Sequence, residues 1–175
     1  MVADLGLRGL THRAVDARAS LPEGTCSAYL RTRLALLAGL TEHVGGVLAR
    51  DVDAMAVAAI PHAEDPDVVA DAVTDLLLRW LRRPELVRTQ AELALEAARR
   101  PELMAVFDPW RRGLVRVVEE LVRCAGREHP ALRAEVGVAA IEGVLASAIR
   151  MPPPERAPFV HAAVPLVVRG LHVTG

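Results

Sequence analysis

Lysine is absent from this chain: all 21 of its permanently basic residues are arginine. With alanine, valine and proline abundant as well, this reads as GC-rich coding, so arginine content by itself carries no phosphate chemistry. Aromatic residues make up only 3% of the sequence. A core must therefore be built from alanine, valine and leucine, and the shortage of strand-forming aromatics and threonine favours helix. Cysteine occurs twice, at Cys26 and Cys124, without CxxC spacing. That argues against a disulfide framework and for reduced thiols in a cytoplasmic protein. The N-terminus lacks a basic stretch followed by an apolar run, so no signal peptide is expected. No uncharged apolar run of about 18 residues occurs, so no membrane span or membrane partner is expected.

What is present reads as globular. Apolar residues are 52% and charged residues 25% of the 175, a balance that supports a packed core. The formal net charge of -1 is unevenly placed. Residues 1–50 carry six arginines against four acids, and the remainder is acidic. A mildly basic front end fits a small nucleic-acid contact surface.

Proline, glycine and aspartate divide the chain into helical blocks. A first fragment, residues 2–7, stops at Gly6. Thr11 stands where an N-cap belongs, Leu21-Pro22-Glu23-Gly24 signals a turn, and Thr25 can cap a second short helix. Two short helices around a turn form a helix-turn-helix pattern. A long helix follows from about Arg33 to Pro61, with Gly45-Gly46 expected to loosen its middle. Further blocks are expected at 67–82, from Pro84 to a break at Pro101, after Pro109 to Gly126, at 131–149 and at about 155–171. Pro165 predicts a kink in the last one. The fold class is all-α, an N-terminal helix-turn-helix module on a larger helical bundle.

Catalytic signatures are missing. There is no HExxH, GxSxG, Gly-rich phosphate loop or Glu-x-x-His pair, and the six histidines are scattered. No catalytic residue, metal ligand or cofactor is expected, and the chain is not expected to be an enzyme.

The segments Gly6-Leu7-Arg8-Gly9-Leu10-Thr11-His12-Arg13-Ala14-Val15, Leu21-Pro22-Glu23-Gly24-Thr25 and Tyr29-Leu30-Arg31-Thr32-Arg33 resemble the DNA-binding segment of TetR-family transcriptional regulators. A second stretch, Leu93-Ala94-Leu95-Glu96-Ala97-Ala98-Arg99-Arg100-Pro101-Glu102-Leu103, resembles part of that family's regulatory domain. The resemblance implies a DNA-binding module over 1–44 and a ligand-binding and dimerisation domain over 45–175. It implies a homodimeric repressor, released from a double-stranded DNA operator by a small-molecule effector. By position, Thr25, Ser27 and Ala28 would face bases, and Thr11, Tyr29 and Arg33 would contact phosphates. Thr11 and Thr25 would also serve as plain N-caps, Tyr29 as a packing residue and Arg33 as a solvated charge. Leu77, Trp80, Met104, Phe107 and Trp110 are the candidates to line a ligand pocket. Val144, Ala148, Val164 and Val168 are the candidates for a dimer interface.

The chain departs from the family pattern at three places. Ser20 replaces a usual glycine, and Leu30 an expected phenylalanine. The family's first helix extends about ten residues further upstream of Met1. Truncation of that helix, from a late start codon, or a partly disordered tip is the expectation. The alternative reading is a small-molecule-binding or interaction protein of the same fold that has lost DNA binding.

Overall fold

The computed structural model describes residues 1–173. Among these residues it contains nine α-helices and no strand. They are α1 (Val2–Leu5), α2 (His12–Arg18), α3 (Thr25–Tyr29), α4 (Arg33–Ala59), α5 (Pro66–Leu81), α6 (Pro84–Ala97), α7 (Pro101–Cys124), α8 (Pro130–Arg150) and α9 (Pro153–His172). Two 3-10 turns, Leu7–Gly9 and Ile60–His62, complete the elements. The chain forms two compact units. One comprises Met1–Val47 and Pro84–Trp110, the other Leu48–Arg83 and everything from Arg111 onward.

The first unit is organised by local capping. α1 is a single turn that ends at Gly6, whose φ of 64° only glycine adopts freely. Thr11 caps α2, its hydroxyl accepting from the Ala14 amide at 3.1 Å. Leu10 and Cys26 are buried, as are Leu36 and Leu37 of α4. α6 packs against α1, and Glu92 of α6 accepts from the Leu7 amide at 2.8 Å. The tip expected to suffer from a shortened first helix is therefore folded, with α2 and α3 both formed. Gly45 and Gly46 do not interrupt α4, which runs unbroken through both. A Cβ on Gly45 would sit 3.5 Å from the Trp110 Cβ, an ordinary contact distance.

The second unit is a helical bundle in which α5 and α8 both pack against α9. Asp65 caps α5 by accepting from the Asp67 amide at 2.9 Å, and Pro66 supplies the first helical residue. The apolar stripe of α5, including Val69, Ala70, Leu77 and Leu81, meets Ala148 of α8 and Val160, Val164 and Val168 of α9. Each large side chain of this kind contributes about 1.5–3 kcal/mol when fully buried. Arg133 of α8 closes the end of α9, donating to the carbonyls of Leu171 (2.7 Å) and Val173 (2.9 Å). Arg169 of α9 pairs with Asp67 in the first turn of α5. Pro165, like Pro158, lies within α9.

One boundary differs from expectation. Pro109 does not separate two helices but lies inside α7, which already starts at Pro101. The apolar register continues across it, through Leu103 and Phe107 to Val115, and packing on that face holds the helix together. Proline removes only one donor, a cost such burial outweighs.

Candidate functional site

Two features stand out, one in each unit. The first is the helix-turn-helix formed by α2 and α3. Gly24, with φ 94°, precedes α3 and exposes the first amides of that helix. Those amides are satisfied by Asp16 of α2, which is only 2% exposed. Its Oδ2 accepts from the Gly24 amide at 2.9 Å and its Oδ1 from the Cys26 amide at 2.7 Å. The carboxylate thus ties the two helices together and complements the positive end of α3. Thr25, expected to cap α3, is instead its first helical residue, and its hydroxyl donates to the Pro22 carbonyl at 2.7 Å. His12 closes the other end by a hydrogen bond from Nε2 to the Leu30 carbonyl.

This bracing leaves one face of α3 bare. Ser27, Ala28 and Tyr29 are exposed, and Tyr29 retains 84% of its surface. Thr25 is half-buried, and Thr11 is exposed although its hydroxyl is used as a cap. Arg33 is exposed, but its guanidinium is engaged by the protein's own backbone. Its guanidinium donates to the carbonyls of Leu10 and Leu7, both at 2.6 Å, and so anchors the 3-10 turn before α2. It is a bracket for the tip in this structure, not a free phosphate ligand. Cys26 lies under α3, buried, and burial together with nearby Asp16 raises its thiol pKa. That disfavours the reactive thiolate.

The second feature is a cavity of about 90 Å³ within the other unit. It is walled by Met55 of α4, Leu76, Leu77 and Trp80 of α5, Leu114, Val118 and Leu121 of α7, Val138 and Ile141 of α8, and Leu171 of α9. Trp80 is held by its indole N–H, which donates to Asp51 at 3.0 Å, and Asp51 also pairs with Arg83. Leu77 and Trp80 therefore meet in one cavity. Met104, Phe107 and Trp110 belong to the other unit and are not among its lining. Sequence reasoning missed Glu142, an exposed residue whose side chain borders the cavity. Partial burial raises its pKa above the ordinary 4.5, as does nearby Glu135, whereas Arg111 opposes the shift.

The residues singled out for a dimer face point inward. Ala148, Val164 and Val168 are buried in the core against α5, and Val144 packs on the same cluster. The outer surface of α8 instead exposes Leu132, Val136, Ala139, Gly143 and Ala146, spaced three and four residues apart. On α9 the exposed set is Pro158, Ala162, Leu166 and Gly170. Each helix thus has two apolar faces, and the bulkier, branched one is used internally.

A short helix-turn-helix in one unit and a helical bundle with an apolar cavity in the other are the parts of a transcriptional regulator fold. Residues 64–172 match the family model described as "Tetracyclin repressor-like, C-terminal domain". The chain belongs to this family, the TetR-type regulators. Its fold is similar to that of a transcriptional regulator from Rhodococcus sp. Rha1, with a TM-score of 0.77 at 19% identity. That alignment covers 99% of this chain and 93% of the other. It is also similar to the multidrug binding protein EbrR complexed with imidazole, with a TM-score of 0.70 and 26% identity over 99% of this chain and 89% of that one. EbrR complexed with ethidium gives a TM-score of 0.68 at 25% identity, covering 95% and 91%. No curated protein sequence matches the chain. Among the described residues, no helix is long and apolar enough to cross a membrane.

Proposed function

We propose that this TetR-type protein is a DNA-binding repressor whose hold on a double-stranded operator is released by a small molecule. The observation that carries this reading is the presentation of α3. A five-residue helix is fixed on its inner side by Asp16 and Cys26 while Ser27, Ala28 and Tyr29 face solvent. A helix held this way can enter a major groove without rearranging its support. Thr11 and Tyr29 flank it with hydroxyls suited to phosphate oxygens. Exposed Arg31 adds positive charge beside them.

The effector enters the cavity between α5, α7 and α8. The ligand complexes of EbrR, with imidazole and with ethidium, support a small-molecule site in this chain. The working form is a homodimer joined through the outer faces of α8 and α9. A dimer places two reading heads on successive major grooves, about 34–36 Å apart. An effector that favours another separation weakens binding by no more than its differential affinity for the two states.

Fluorescence anisotropy with a duplex taken from upstream of the protein's own gene tests the reading. Affinity falling steeply between about 50 and 200 mM salt is the expected outcome, because phosphate contacts release counterions. Absence of binding at the lower salt would sink the repressor assignment and favour a ligand-binding protein of the same fold.

A further inference from the structure

Among the described residues, three side chains bordering the cavity carry a nitrogen or oxygen: Trp80, Glu142 and His172. None of them offers that atom to the void. The Trp80 indole N–H donates to Asp51 at 3.0 Å. Both ring nitrogens of His172 lie against carbonyls, Nδ1 at 2.9 Å from that of Val168 and Nε2 at 3.0 Å from that of Ala63. Glu142 is exposed and gives the wall only the carbons of its stem. The backbone around the void belongs to helices, whose amides and carbonyls bond to one another. The rest of the wall is aliphatic, with Leu77, Val138 and Ile141 among its members.

A wall of this kind selects by what it withholds. An apolar body entering it gains in proportion to the surface it removes from water. A hydroxyl would give up its water without finding a partner, and an ammonium or carboxylate would lose far more. Water, which needs about two to four polar partners, also gains little there. Size sets the second limit. An apolar cavity of about 150 Å³ holds benzene or xenon, and this one measures about 90 Å³. We propose that the cavity takes a small neutral molecule without a hydrogen-bonding group, a hydrocarbon or halocarbon on the order of four to seven heavy atoms. This rests on the reading of the cavity as the effector site and adds the chemical class of the effector.

Methyl-region NMR titrations of the full chain separate this class from its polar isosteres. The probes are 2-chloropropane, 2-propanol and isopropylammonium, which share one shape, with fluorobenzene and phenol as a larger pair. At least one halide is expected to bind saturably, with shifts centred on the methyls of Leu77, Val138 and Ile141. Its alcohol should bind about tenfold or more weakly, the scale of one unpartnered hydroxyl. The ammonium is expected not to bind. Val118, which lines the cavity from α7, offers a way to fill it. Val118→Phe should abolish halide binding, and the milder Val118→Ile, which serves if the first variant does not fold, should weaken it. An alcohol or ammonium that binds as tightly as its halide overturns the ligand class. Halide binding untouched by either variant, shifts away from the cavity, or no binding of either halide overturns the site. The bound halide is then added to the operator duplex in the anisotropy experiment. A halide that occupies the cavity without changing operator affinity leaves the ligand class standing and sinks the effector reading alone.

Discussion

Asp16 shows how one residue can decide whether a reading helix exists. It is a charged group in a buried position, and its two oxygens satisfy two amides that no other group reaches. Asp16→Ala would leave those donors unpaired, at a cost of about 1–3 kcal/mol each side of the contact. The expected outcome is a lower urea midpoint together with weaker operator binding, while Asp16→Asn, which keeps one acceptor, loses less. Ser20 carries the opposite lesson. It adopts φ 56°, a left-handed conformation, at the position the family pattern gives to glycine. Ser20→Gly is expected to stabilise the protein by up to about 1 kcal/mol, the balance of relieved strain against added chain entropy. An unchanged or lower melting temperature would contradict this. Glu142 links the cavity to pH. Its folded-state pKa is raised, chiefly by burial, so it costs stability once the pH exceeds that raised value. The cost fades as the pH falls below the ordinary 4.5. Glu142→Gln should therefore unfold at higher urea than the unaltered protein near neutral pH, and the two should converge in acid.

Among the elements, the helices were legible where a stripe and a cap coincide. The apolar period at 67–82 marked α5, and the blocks expected at 131–149 and about 155–171 fall within α8 and α9. Thr11 was read correctly as the cap of α2. Thr25 was not, because an aspartate nine residues earlier took the role, and spacing of that kind follows no local rule. Pro109 was read as a boundary because proline usually is one. Its place inside α7 leaves the Ala105 carbonyl without its helical donor. Pro109→Ala should restore that bond and raise stability by about 1–3 kcal/mol, measured by chemical denaturation. A loss of stability would mean that the proline is needed where it stands.

For the whole molecule, the question is which face of α8 and α9 meets a second copy. Val144, Ala148, Val164 and Val168 looked suited to a twin but are consumed by α5. The small-residue face opposite them is left open, and a Cβ added at Gly143 meets nothing within 4 Å in the same chain. Gly143→Arg and Leu166→Glu are therefore expected to leave the fold intact and halve the mass in sedimentation equilibrium. They should also lower operator affinity, since two linked heads bind far more tightly than one. Variants that remain dimeric would place the homodimer contact elsewhere.

The sequence by itself determined the helical class, most helix boundaries and the helix-turn-helix pattern. These depend on periodicity, proline and capping residues, which act within a few positions of one another. Tertiary structure alone decided that Arg33 grips the carbonyls of Leu7 and Leu10, that Leu77 and Trp80 share a cavity with Glu142, and which apolar face of α8 and α9 turns outward. Each depends on residues brought together from distant segments. A helix with two apolar faces carries no local mark of which one its neighbours will cover.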